Sequence, residues 1–304
     1  MIKKYLIALL GDRLSLKLHK IKSRLSYVVR FFSKPLSEKE LSKALYDIGI
    51  IEGDTVYLHT AMSKIGHLRN GPDTIINLLM GIVKESGTIG APAHLPPRLV
   101  FDKIKDKAIL DLRYENIITG SIAKNIKGRQ ASFCSSHPFA SSCFLGKHAK
   151  IITSEHQSSS FVCDKKSPMG KLLGLNGKII GMGIDFSAIV FYHIIEDLIE
   201  NFPIQVYDKP RMIEYIDNSG KKIKRKISTY NKEVSKTRVE KIGGKNSRKI
   251  LLHYLLKNNA IVFFKFGRAD SWLLKTNLVY ISLVSMLNDG FTIYTDKSLS
   301  DGVK

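Results

Sequence analysis

Cysteine is scarce in this chain: three in 304 residues, at positions 134, 143 and 163. The count is odd and no CxxC pair occurs, so neither a disulfide framework nor a zinc site is expected. A reducing cytoplasm is the compartment this usage fits. Long apolar runs are lacking too. None approaches the ~20 residues needed to span a bilayer. The opening MIKKYLIALLGDRL interrupts its apolar stretch at Asp12 and Arg13, with no small-residue cleavage site after it, which speaks against a secretion signal. Acid is in deficit, with 27 Asp and Glu against 48 Lys and Arg, a net charge of +21. Such a field favours anionic partners, whether nucleic acid, acidic lipid or a phosphorylated substrate. The same balance also fits ordinary solvated surface charge. Few aromatics sit among the basic residues, and no zinc or helix-turn-helix signature appears, so nucleic-acid binding is the weaker reading.

The basic residues are clustered. Nine Lys and Arg lie in residues 1 to 34 against Asp12 alone, and twelve lie in residues 221 to 249 against Glu233 and Glu240. In the first cluster Leu6, Leu9, Leu10, Leu14, Leu18, Ile21, Leu25, Val28 and Phe32 recur at helical spacing, which predicts a basic amphipathic helix. It would lie on an acidic membrane surface, at the inner face of the membrane, or dock on its own domain or a second subunit. Pro35 ends it, so the chain divides into residues 1–34 and a domain of residues 35–304. In the second cluster, Asp217-Asn218-Ser219-Gly220 predicts the turn of a basic β-hairpin insert.

Between them strand and helix patterns alternate. Ser37 with Glu40 reads as a capping box for a helix from Leu36 to Gly49. TVYLHTAM from Thr55 is β-branched and apolar, a strand; residues 73 to 84 form a helix; TIGAPA is a further strand. Beyond, residues 249 to 258 read as helix, AIVFFKFG from Ala260 as a buried strand, and Trp272 to Asn288 as a final helix. Alternation of this kind predicts an α/β fold with a three-layer α/β/α core.

Four blocks can carry chemistry. HTAMSKIGHLRNGPDT, from His59, is a Gly-containing loop between strand and helix, with Ser63, Gly66 and Gly71 placed to present N–H groups to a phosphate. The spacing fits an ordinary βα turn equally. SSHPFASS, from Ser135, holds His137 extended before Pro138, either as a packed imidazole or as a reactive one near Ser141 and Ser142. Cys134 lies three residues before His137, but an extended segment sends the two to opposite faces. SPMGKLL, from Ser167, is a turn and the start of a helix. GMGIDFSAIVFYHIIE, from Gly181, is a strand end feeding a helix on which His193 and Glu196 stand at i and i+3, on one face. A carboxylate beside an imidazole orients it as a general base; the same spacing also occurs in surface pairs.

In this order and spacing, from about Leu36 to Asp296, the blocks resemble the aminoglycoside 3-N-acetyltransferase family. The resemblance implies direct transfer of acetyl from acetyl-CoA to an amine on a sugar, without a metal. His59, Ser63, Ile65, Gly66 and Gly71 match its cofactor loop, Ser141 its HPxxS serine beside the thioester, and His193 and Glu196 its HxxE base and partner, with His137 as the second candidate base. The chain departs from the family at Thr60, Ala61, Asn70 and Ser142. Ile189 or Val190 stands where a threonine is usual. The acceptor region around Asp102 and Gly120 lacks the family's PS motif. Because a polycation would be repelled by a chain of +21, the expected acceptor is an amino sugar of surface-polysaccharide biosynthesis, nucleotide- or lipid-linked. An aminoglycoside, and hence antibiotic resistance, is the alternative. A catalytically dead scaffold is disfavoured because both His193 and Glu196 are retained. Homodimerisation is left open.

Overall fold

A computed structural model describes residues 33–106, 108–239 and 246–295. The amphipathic segment at residues 1–32 and its membrane contact lie outside the described residues. Among the described residues ten strands occur in chain order: β1 (Thr55–Thr60), β2 (Thr88–Pro92), β3 (Leu110–Asp111), β4 (Ser132–Cys134), β5 (Ser142–Gly146), β6 (Lys178–Met182), β7 (Arg211–Ile216), β8 (Lys222–Ile227), β9 (Ile261–Phe266) and β10 (Ala269–Lys275). Seven of them form one mixed sheet in the order β4-β5-β2-β1-β6-β10-β9. Its centre, β2, β1 and β6, is parallel, and β5 and β10 join it antiparallel.

Period-two alternation explains why both faces of this sheet are apolar. Along β1, Tyr57 enters one core while Val56 and Leu58 enter the other. Ile179 and Ile180 of β6 divide in the same way. Helices Glu38–Asp47, Pro72–Val83 and Ser121–Lys127 cover one face, through Leu45, Ile75, Leu79 and Ile126. Helices Ala149–Thr153, Pro168–Gly174, Asn246–Lys257 and Thr276–Asn288 cover the other, through Ile152, Leu172, Leu255 and Leu283. The result is the three-layer α/β/α arrangement predicted from the alternation. Ser37 caps its helix as expected, its hydroxyl accepting the Glu40 N–H at 3.4 Å.

Two expectations need correction. Trp272 does not open the last helix. Residues 269–275 form β10, which turns back on β9 at Gly267 and pairs with β6; the helix starts at Thr276. The physical reason is two-sided burial: Trp272 and Leu274 face one core and Leu273 the other. Trp272 lies flat against Gly181, where an added Cβ would stand 2.0 Å from the ring, so no larger residue fits there. The cysteines are the second correction. Antiparallel pairing of β4 with β5 sets Cys134 opposite Cys143, with Cα atoms 4.0 Å apart, and the two are disulfide-bonded. Spacing alone could not show this, because a separation of nine positions says nothing about register. The bond removes Cys134 as a candidate nucleophile, and with it goes the cysteine argument for a reducing compartment.

β7 and β8 form the hairpin turned at Asp217–Gly220, and β3 pairs parallel to β7. This small sheet has its own core of Val100, Leu110, Ile213, Tyr215 and Ile227. The basic residues decorate its exposed side, where Lys222 and Lys224 flank Glu214. Among the described residues no helix is long and apolar enough to cross a membrane. The C-terminal ends of β1, β2 and β6 open toward one crevice, the usual place for a ligand in an open α/β sheet.

Candidate active site

β6 ends at Met182, and the chain crosses the crevice before a 3-10 turn, Val190–His193, leads into helix Ile194–Leu198. This brings His193 and Glu196 together. Both are buried, and His193 Nδ1 lies 2.8 Å from Glu196 Oε1. Nδ1 therefore donates to the carboxylate, which leaves the Nε2 lone pair to act as acceptor. Tyr294, from the segment after the last helix, donates its hydroxyl to the same Glu196 oxygen and stands 3.2 Å from Nδ1. Arg238 Nη1 donates to that Nε2 at 3.3 Å, a contact an incoming amine must replace, and the Tyr230 ring packs beside the imidazole.

His193 faces a cavity of about 420 Å³ whose walls include His94, Phe139, Ile189, Val190, Tyr230 and Arg238. Ile189 and Val190 make this wall apolar. A second cavity, about 800 Å³, adjoins it at Ser228 and is lined by Glu196, Asp197 and Asp208. Glu196 Oε2 is buried without a hydrogen-bond partner. Asp197 accepts from the Cys163 N–H at 2.8 Å and from the Tyr207 hydroxyl at 2.7 Å. Burial outweighs these bonds and pushes its carboxyl up to about 7.

His137 is not brought to this cavity. It is fully buried, stacked on His156 with ring centroids 4.6 Å apart, and its Nε2 meets no partner. Burial lowers its pKa to about 3, too weak a base for chemistry near neutrality. Ser141 explains the local geometry. Its hydroxyl donates to the His137 carbonyl at 2.8 Å and accepts the His137 N–H at 3.1 Å, closing the His-Pro turn. His137 and Ser141 are thus packed within the fold, outside the lining of the His193 cavity. His59 and His94 are likewise held neutral by burial, with pKa values near 3 and 4.

The expected cofactor loop leaves β1 and forms a single helical turn, Met62–Ile65, before reaching helix Pro72–Val83. Lys64 ties it to the β6 loop through the Gly183 carbonyl at 2.7 Å. Ser63 is exposed. Ile65 is fully buried in the core, so its side chain serves the fold and not the loop surface. Gly66 (φ +116°) and Gly71 (φ +54°, ψ −128°) adopt backbone conformations that side chains disfavour, and nothing lies within 4 Å of where a Cβ would stand at Gly71. That open, Gly-shaped surface fits close approach by a phosphate. The N–H groups of Gly71, Asp73 and Thr74 are already bonded to Leu68, Asn70 and Gly71 carbonyls, so the contribution to a ligand falls to the first half of the loop. The Asp73 carboxylate, held low by Asn125 and Arg129, is neutralised by Arg129.

Tyr294, Arg238, His94 and Asp197 were missed in the sequence. Asp197 adjoins the HxxE pair and could have been noted there; the other three are remote, and no local spacing marks them.

The aminoglycoside 3-N-acetyltransferase family model matches residues 57–288. Aminoglycoside N(3)-acetyltransferase VII of Streptomyces paromomycinus is 27% identical over 180 residues, which are 54% of this chain and 61% of that protein. The chain thus spans less than two thirds of that relative's length. A prophage-derived aminoglycoside N(3')-acetyltransferase-like protein of Bacillus subtilis (strain 168) is 25% identical over 188 residues, 56% of this chain and 68% of that protein. Among solved structures, the AAC-IIIb binary complex with CoASH superposes with a TM-score of 0.70 at 20% identity, covering 86% of this chain and all of the other. AAC-VIa bound to sisomicin gives 0.68 at 21% identity, covering 84% and 98%. At these identities the structures speak for the fold.

Proposed function

Because the chain belongs to the aminoglycoside 3-N-acetyltransferase family, we propose that it transfers the acetyl group of acetyl-CoA to an amine of an aminoglycoside, with His193 as general base. The observation that carries this reading is the buried His193–Glu196–Tyr294 cluster facing a cavity at the C-terminal end of the parallel strands. Acetyl-CoA supplies an activated thioester. As the acceptor nitrogen bonds to the acetyl carbon, it must lose a proton; His193 Nε2 takes it. The carbon–sulfur bond breaks and the thiolate leaves as CoA, free to be protonated from solvent. Glu196 balances the imidazolium that forms, and Tyr294 fixes the carboxylate. The loop around Ser63 and Gly66, with its open face at Gly71, holds the cofactor's pyrophosphate.

The sequence-based preference for a nucleotide- or lipid-linked amino sugar rested on the overall charge of +21. Two observations favour the aminoglycoside instead. The relatives' names are those of aminoglycoside acetyltransferases, and the cavity beside the base is lined by three acidic side chains, Glu196, Asp197 and Asp208, against Lys209, with Asp197 only partly ionised near neutrality. Acidic groups in the cavity wall would act on an acceptor at closer range than hairpin lysines, which salt screens beyond about 10 Å. Steady-state transfer from acetyl-CoA to sisomicin and to a nucleotide-linked amino sugar tests this. Higher kcat/KM for sisomicin is expected; the reverse order would restore the polysaccharide reading.

A further inference from the structure

A third cavity, about 480 Å³, lies outside the site described above, between β4, helix Ala149–Thr153 and the Asp217–Gly220 turn. Ser136 lines it, whereas Phe139 and Ala140 of the same segment line the cavity of His193, so the His-Pro turn divides the two. Its cations are Arg113, Lys127 and Lys150. Lys127 is half-buried and its ammonium bonds to two carbonyls, Leu112 O at 3.0 Å and Arg113 O at 3.2 Å. Those bonds fix the charge in place and leave a third N–H for a ligand. Arg113 bonds Asp111 through Nε and Nη2, which leaves Nη1. The one carboxylate in the lining, Asp217, is engaged by its own turn: its Oδ1 accepts from the Ser219 N–H, the Ser219 hydroxyl and the Lys221 N–H. The hydroxyls of Ser132, Thr153 and Ser154 also line it, but each already donates to a backbone carbonyl of its own segment, so the donors toward a ligand are the three cations. Phe133, 43% exposed, stands on the wall as a flat apolar face.

Three cations against two carboxylates, Asp217 and the Asp111 that pairs with Arg113, leave a net positive lining that selects an anion. Ammonium and guanidinium N–H groups suit phosphate oxygens, and an exposed ring suits a planar base. The volume is that of a small-molecule site. We propose that this cavity binds a nucleoside diphosphate, with the diphosphate on Lys127, Lys150 and Arg113 and the base stacked on Phe133.

The test is calorimetric titration of the full-length protein with UDP, and with inorganic pyrophosphate as the base-free probe, at low salt and with CoA already saturating. UDP should bind under these conditions, with affinity falling as salt rises. Exposed Lys150→Glu should weaken it by roughly fivefold or more, the scale of one charge-assisted bond. Lys127→Met should do the same, with the melting temperature recorded to exclude unfolding. Phe133→Ala should weaken UDP and leave pyrophosphate unchanged. Acetyl transfer by Lys150→Glu should match the wild type. No UDP binding, or binding insensitive to both lysine substitutions, overturns the site. Displacement of UDP by CoA overturns it as a separate site, and pyrophosphate binding as tight as UDP overturns its assignment to nucleotides.

Discussion

His193 can act as a base only through Nε2, because Nδ1 is committed to Glu196 at 2.8 Å. The neighbours therefore matter in order of contact. Glu196→Gln keeps the shape but removes the charge that balances the imidazolium, and should lower kcat by about tenfold, within the range of positioned acid–base partners. Tyr294→Phe keeps the packing and removes one hydroxyl bonded to Glu196. A loss of one such bond predicts a fall in kcat of about three- to tenfold, with acceptor KM unchanged. Initial rates at saturating acetyl-CoA check both; an unchanged kcat in Tyr294→Phe would mean the hydroxyl does not position the carboxylate. His193 and Glu196 were legible in the sequence because i and i+3 on one turn is a local relation. Tyr294 was not, since it reaches Glu196 across 98 positions, and only the packing of the last helix delivers it. His137 shows the converse limit. The His-Pro step declares a rigid backbone, but nothing in it says whether the ring points to a cavity or into the core.

At the level of elements, the loop after β1 carries the cofactor reading, and Gly71 is its most sensitive point. The pair φ +54°, ψ −128° is a conformation that essentially only glycine takes without strain. Gly71→Ala should cost about 1–3 kcal/mol of stability, read from urea unfolding. Its added methyl meets no neighbouring atom within 4 Å, so any kinetic defect should come from the altered loop path. KM for acetyl-CoA should rise more than KM for the acceptor; an equal rise in both would show general misfolding. Element types were legible where periodicity was strong, as in β1 and in the helix Pro72–Val83. They failed at β10, where the short apolar run Trp272–Leu274, buried on both faces, shows no alternation and periodicity cannot separate it from a helix. The Cys134–Cys143 bond failed similarly, being a consequence of β4–β5 register.

For the whole molecule, four histidines whose pKa burial lowers, His59, His94, His137 and His156, predict acid sensitivity. His59, His94 and His137 have folded pKa values near 3, 4 and 3, below the unfolded value of about 6.5. Between those limits the unfolded chain binds protons that the folded chain does not, so stability falls as pH falls from about 6.5 toward 4. These three contribute a slope of at most about 4 kcal/mol per pH unit, and His156, lowered by burial as well, adds in the same direction. Urea midpoints at pH 7 and pH 5 measure it, and equal midpoints would mean these imidazoles are not desolvated. The basic stripe in residues 1–34 predicts binding to anionic vesicles that weakens with salt. Deleting those residues should abolish vesicle binding and spare acetyl transfer; loss of both would make the segment part of the fold. The central claim is that His193 removes the amine proton in acetyl transfer to an aminoglycoside. The most direct measurement is mass spectrometry of sisomicin after incubation with acetyl-CoA and either wild-type enzyme or His193→Ala, with CoA binding by both verified in parallel. The account predicts one added acetyl group with the wild type and a rate lower by roughly 10²-fold or more in His193→Ala, with CoA binding retained. Acetylation at a near-normal rate by His193→Ala, or no acetylation by a wild-type protein that binds CoA, would contradict it.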